Sequence, residues 1–154
     1  MKTITFKNTI VIQHPIEQVF TFIADFKNVP QWNYNVMSVR KLSEKPVDLG
    51  TVYHQVRKRD QQDFQVMEYQ LNKVIAIKAK PGSKPWFEQR FMFDSVDSGT
   101  RIVDTWKLDF GRHVLIPRLW AFRVKFAIAG NLKKLKELLE TGQTQLQDGR
   151  TVRI

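Results

Sequence analysis

Between Val36 and Phe110 the chain passes through six segments of strand character, joined by connections too short for anything but reversal. Composition and alternation predict strands over residues 36–44, 51–59, 63–72, 74–80, 86–96 and 100–110. Turn chemistry separates them: Lys45-Pro46-Val47-Asp48-Leu49-Gly50, Asp60-Gln61-Gln62, Pro81-Gly82-Ser83 and Asp97-Ser98-Gly99. Parallel neighbours would need crossovers of about a dozen residues or more, so these strands must form an antiparallel meander.

The flanking segments have to fit around that sheet. Thr3 to Ile12 alternates and is rich in β-branched residues, which predicts a further strand. Pro15 suits a first helical position, and Glu17 lies where the helix dipole favours an acid. Ile16, Val19, Phe20 and Ile23 then share one face of a short helix. Asp25 to Pro30 breaks it, and Pro30 to Tyr34 predicts one more helical turn. After Gly111 the helical period returns, from Pro117 to Thr141 with Gly142 as the stop. Trp120, Val124, Ala127, Ile128, Asn131, Leu135 and Leu138 form its apolar face, edged by Leu132 and Leu139. Lys133, Lys134 and Lys136 stand near the end that favours cations. The prediction is an α+β domain over residues 1–142, ordered β-α-α-β-β-β-β-β-β-α, followed by a polar, flexible tail over 143–154.

Charge and composition narrow the class. With 25 Lys and Arg against 15 Asp and Glu the chain carries +10, and 42% hydrophobic with 12% aromatic residues marks a folded chain. Absence of cysteine removes disulfides and thiolate chemistry. No stretch reaches the roughly 20 apolar residues of a membrane span. Met1 to Lys7 alternates where a signal peptide would be continuously apolar, so a cytoplasmic domain, monomeric or weakly dimeric, is expected. The basic residues are scattered, the tightest run being Arg57-Lys58-Arg59, and no zinc-finger, RNA-binding or phosphate-loop pattern occurs. No specific nucleic-acid partner is expected. His14, His54 and His113 have no spacing that would place two on one metal, and no metal or cofactor is expected.

A curled antiparallel sheet cannot close completely on one straight helix lying across its concave face. The mismatch predicts a hollow lined by alternate strand residues. Period two places Ile102, Asp104, Trp106, Leu108 and Phe110 on one face, Phe87, Gln89, Phe91 and Phe93 on another, and Ile75 and Ile77 on a third. Two strands are ambiguous: Tyr53, Gln55 and Arg57 against Val52, His54 and Val56, and Phe64, Val66 and Glu68 against Met67, Tyr69 and Leu71. The candidate ligand-binding residues are Trp32, Tyr34, Tyr53, Phe87, Phe91, Phe93, Asp104, Trp106, Trp120 and Val124. About half of the aromatic ones are expected to be plain packing, while Trp32 and Tyr34 would border the entrance.

Asp104 has three readings: an acid, base or ligand anchor in an apolar pocket, an ion pair with Arg57 or Arg90, or a bulge that turns it outward. The ion pair is favoured. On the long helix, Leu119, Phe122 and Phe126 fall opposite the core stripe, among Arg118, Arg123 and Lys125. They either pack under the loop 112–116 or form an exposed patch that touches an anionic membrane or a second subunit.

The run Ile10-Val11-Ile12-Gln13-His14-Pro15-Ile16-Glu17-Gln18-Val19-Phe20 resembles the first strand and helix of the START-like (SRPBCC) superfamily. Ile23-Ala24-Asp25-Phe26-Lys27-Asn28-Val29-Pro30-Gln31-Trp32, Leu49-Gly50-Thr51-Val52-Tyr53, Gly99-Thr100-Arg101-Ile102 and the closing helix extend the likeness over roughly residues 3 to 140. It is most similar to the polyketide cyclase/dehydrase-like branch. The resemblance implies a helix-grip fold, with seven curved strands around the C-terminal helix and an internal pocket for lipids, polyketides or similar apolar molecules. Three functions follow as expectations. The first is carriage of a small hydrophobic or aromatic ligand. The second is cyclase or dehydratase chemistry resting on Asp104, Tyr53, Arg57 and Glu68. The third is docking through the basic face and Phe122/Phe126.

Overall fold

The computed structural model describes residues 3–111 and 118–154. His113, the loop 112–116 and the helix-starting Pro117 lie outside the described residues.

The elements run β1 (Thr3–Ile12), α1 (Ile16–Ala24), a 3-10 turn (Phe26–Gln31), β2 (Val36–Lys41), β3 (Val52–Arg57), β4 (Gln61–Gln70), β5 (Val74–Ala79), β6 (Trp86–Val96), β7 (Gly99–Asp109), α2 (Arg118–Thr141), β8 (Gln143–Gln145) and β9 (Thr151–Arg153). Strands β1 to β7 make one antiparallel sheet in the order β1-β7-β6-β5-β4-β3-β2. The meander therefore closes against the N-terminal strand. This is the α+β helix-grip architecture, a curved seven-stranded sheet with a long C-terminal helix across its inner face.

Local chemistry moves some boundaries. The turn after β3 is one of Lys58-Arg59-Asp60, because the Arg57 guanidinium takes both Asp60 carboxylate oxygens at 2.6 and 2.7 Å, and β4 starts at Gln61. Both ambiguous strands resolve. On β3, Tyr53 and Gln55 point inward. On β4, Phe64 and Val66 are buried, but the register shifts between Val66 and Glu68. That bulge adds a residue, so Glu68 turns outward while Tyr69 packs inward on Phe20, ring centroids 5.7 Å apart. The first alternation holds as far as Val66; of the second only Tyr69 is inward, Met67 and Leu71 being exposed.

Helix α1 buries Val19, Phe20, Ile23 and Ala24 against the sheet, with Phe20 edge-on to Phe93 at 5.0 Å. Helix α2 is held unevenly. Its C-terminal half buries Leu132, Leu135 and Leu138, and Lys136 Nζ donates to the Val11 carbonyl oxygen and to Glu140, each at 2.6 Å. Glu140 in turn accepts from the Gln13 N–H at 2.9 Å, fastening this end to β1. Towards the N-terminal half the hold is looser, with Ala121, Val124 and Ile128 only part-buried against the core. Trp120, assigned above to the buried stripe, is 38% exposed, and its ring packs edge-on against Phe110 instead.

The segment 143–154, expected as a flexible polar tail, forms a hairpin of β8 and β9. Thr144 and Leu146 are buried in it, so one apolar anchor with a turn at Asp148-Gly149 outweighs the polar composition. Asp148 accepts ion pairs from Lys58 at 3.2 Å and Arg150 at 3.0 Å, which ties the hairpin to the turn after β3.

Candidate functional site

The register of β6 and β7 builds the centre of the inner face. A tight turn pairs Val96 with Gly99, which sets Phe93 opposite Ile102, Phe91 opposite Asp104, Gln89 opposite Trp106 and Phe87 opposite Leu108. From the other side β1 sets Phe6 opposite Trp106 and Asn8 opposite Asp104. Directly opposed residues share a face. Asp104 thus sits among Phe91, Asn8, Ile102 and Trp106.

No cation reaches it among the described residues. Asp104 Oδ1 accepts from Gln89 Nε2 and Oδ2 from Trp106 Nε1, both at 3.0 Å. The side chain is 1% exposed, and loss of water raises its pKa from 3.8 to about 7 despite those two hydrogen bonds. The expected ion pair does not form, since both candidate arginines have nearer acids. Arg57 holds Asp60, and Arg90 holds Glu68 at 2.8 Å on the outer face. No bulge turns Asp104 outward either, because β6 and β7 pair without a shift.

Around this carboxyl the lining is aromatic on one side and polar on the other. Trp106 packs against Phe87 with centroids 5.6 Å apart, and Phe87 leads to Phe64, which stacks on Tyr53. Gln55, Gln62 and Gln89 are buried inward-facing amides. Asn8 Nδ2 is buried without a hydrogen-bond partner among the described residues. Trp106, Phe110 and Val124 are only half-buried, and Trp120 still less so. The least buried inward side chains therefore lie beneath the N-terminal half of α2.

The other candidates divide. Phe91 and Phe93 are core beneath α1, their rings 6.3 Å apart with Phe20 against Phe93. Trp32, expected at a wet rim, is only 5% exposed, because the 3-10 turn folds it into the core. Tyr34 lies on a groove along the outer side of α2, with Phe122 and Phe126. Tyr53 borders a second hollow of about 230 Å³ with Phe20, Tyr69, Asp25 and Lys41. Burial first, then the Asp25 and Tyr69 charges, push its hydroxyl up to about 12, so it stays protonated. Glu68 faces outward with Arg90, and Arg57 is held at a hairpin end. The four residues suspected of catalysis thus do not converge.

Phe87, Asp104, Trp106, Trp120 and Val124 remain under or beside the N-terminal half of α2. Gln89 and Asn8 join them, and neither was among the ligand-binding candidates. Gln89 was within reach, because the Asp97-Ser98-Gly99 turn fixes which residue faces Trp106. Asn8 had no such signal, since pairing of the first strand with the last is set by tertiary closure. Among the described residues no three His, Asp or Glu side chains gather as metal ligands would. No described helix is long and apolar enough to cross a membrane.

Fold and site together define a helix-grip domain whose inner face carries one buried carboxyl beneath an unevenly held helix. Its sequence matches, over residues 3–140, the family described as polyketide cyclase / dehydrase and lipid transport, and the chain belongs to that family. The crystal structure of DR_A0006 from Deinococcus radiodurans is similar in fold, with a TM-score of 0.67 and 16% identity over 90% of this chain and 99% of that one. No curated protein matches the sequence.

Proposed function

We propose that the domain binds and carries a small, largely apolar molecule with one neutral polar group, held between the sheet and the N-terminal half of α2. One observation carries this reading. Inward-facing Trp106 and Phe110 stay partly open to solvent, whereas the Asp104 carboxyl beside them is closed off and shifted to about 7. Near neutrality a group with that pKa exists in both protonation states, so it can accept from a hydroxyl or donate to a carbonyl. The unpartnered Asn8 amide supplies a second donor opposite it. A guest reaching these groups displaces the Trp106 indole from Asp104 and replaces its hydrogen bond. The aromatic surface of Phe87, Trp106 and Trp120 supplies the apolar contact.

Native mass spectrometry of the purified protein tests this. The expected spectrum contains a small-molecule adduct that organic extraction removes and that Val124→Trp, which fills the space, excludes while the circular dichroism is kept. An adduct-free spectrum, together with no response of tryptophan fluorescence to a panel of fatty acids, sterols and aromatic polyketides, would refute it.

The raised Asp104 pKa also favours a second reading, in which the same carboxyl is a general acid or base acting on a bound polyketide-like chain. Turnover of that kind follows one ionisation near pH 7 and is lost in Asp104→Asn. A pH–rate profile unaltered by that substitution would remove Asp104 from the chemistry.

A further inference from the structure

The outer side of α2 carries a pattern the inner site does not use. Leu119, Phe122 and Phe126 are 64%, 66% and 71% exposed, and spacings of three and four put them on one stripe. From Leu119 to Lys134 the helix bears Arg123, Lys125, Lys133 and Lys134 and no acid. Beside the stripe runs a shallow groove of about 380 Å³, walled by Tyr34, Phe122, Arg123, Phe126 and Gln147.

Three exposed large apolar side chains within about two turns of helix are costly in water and mark a contact surface. Charge selects the partner. A second copy would bring the same cations and the same +10, so self-association through this face is opposed by like charge. Shape selects further. A helix-binding groove receives a partner's anchors into deep pockets, whereas the groove here is shallow and the Phe122 and Phe126 rings that wall it stay about two-thirds exposed, standing out as anchors themselves. Protruding Leu and Phe flanked by Lys and Arg suit an anionic bilayer, where rings enter the headgroup–acyl boundary and cations meet lipid headgroups.

We propose that the outer face of the N-terminal half of α2 docks on an anionic lipid surface, with Phe122 and Phe126 inserted and Arg123 and Lys125 among the headgroups. This surface is independent of any internal guest, and vesicle binding is read separately from adduct release.

Sedimentation of the full chain with vesicles of phosphatidylcholine containing about 30% phosphatidylglycerol provides the test, against phosphatidylcholine alone. Binding is expected to the anionic vesicles at about 50 mM salt, and at least about tenfold weaker at about 500 mM. Phe122→Ser/Phe126→Ser should weaken it by about tenfold or more. Its thermal midpoint should stay unchanged, because both rings are exposed. Arg123→Glu/Lys125→Glu should do the same, whereas Lys7→Glu/Lys107→Glu, an equal charge change on the outer sheet face, should leave binding within about twofold. Failure to sediment at low salt overturns the proposal, as does equal loss in both charge variants, which would make the binding a matter of net charge. An acidic amphipathic peptide that binds the face while vesicles do not also overturns it. So does a concentration-dependent dimer that the serine variant dissolves.

Discussion

A carboxyl group shut away from water without a cation can be kept by hydrogen bonds or by a proton, and Asp104 draws on both. Its folded pKa of about 7 lies above the 3.8 of an unfolded chain. Between those values the native state holds a proton that the unfolded state has lost, so this group's contribution falls as pH rises, and levels off above about 7. Thermal or urea denaturation from pH 4 to 8 should show that decline, and Asp104→Asn should flatten it even if the Trp106 hydrogen bond is lost. An unchanged slope would mean the carboxyl is charged throughout. The inward aim of Asp104 was readable from period two. Its partners were not, because Arg57 and Arg90 were taken by Asp60 and Glu68, acids whose nearness depends on a turn and on a bulge.

Among the elements, the β6–β7 hairpin does most to set the site, since its turn aligns Gln89, Trp106, Phe91 and Asp104 at once. Gly99 closes that turn at φ 145, and a Cβ there would collide with the carbonyl oxygen of Ile12. Gly99→Ala should therefore lower stability by at least about 2 kcal/mol and disturb the contact between the hairpin and the end of β1. Chemical denaturation measures the first effect, and backbone amide shifts at Ile12 to His14 the second. Neutral behaviour would mean the turn relaxes freely. The strands, their antiparallel order and both helices were legible because alternation, turn residues and the 3.6 period are local signals. The β4 bulge was not, since an extra residue in a ladder is fixed by its neighbours on β5 rather than by its own side chains.

At the scale of the molecule, the C-terminal hairpin acts as a clasp. Leu146 is buried, Gln147 Nε2 donates to Asn131 Oδ1 on α2, and Asp148 pairs with Lys58 on the far side. Composition pointed to fraying because two short strands with a single buried leucine leave almost no periodic trace. Removing residues 143–154 should cost about 2–3 kcal/mol, roughly the burial of one leucine, and lower the melting temperature. A truncated chain as stable as the whole would make the clasp ornamental. The uneven hold on α2 has a mechanical consequence. Fixed to β1 through Lys136 and Glu140, and resting nearer its start on part-buried contacts such as Trp120 on Phe110, the helix is a lever held most firmly at its C-terminal root. Bending of such a rod is least at the firmly held root and greater towards the weakly held end. The apolar rings and cations of its outer side and the part-exposed side chains beneath its inner side both lie in that weakly held half, so a load on either face is borne by the same stretch of helix.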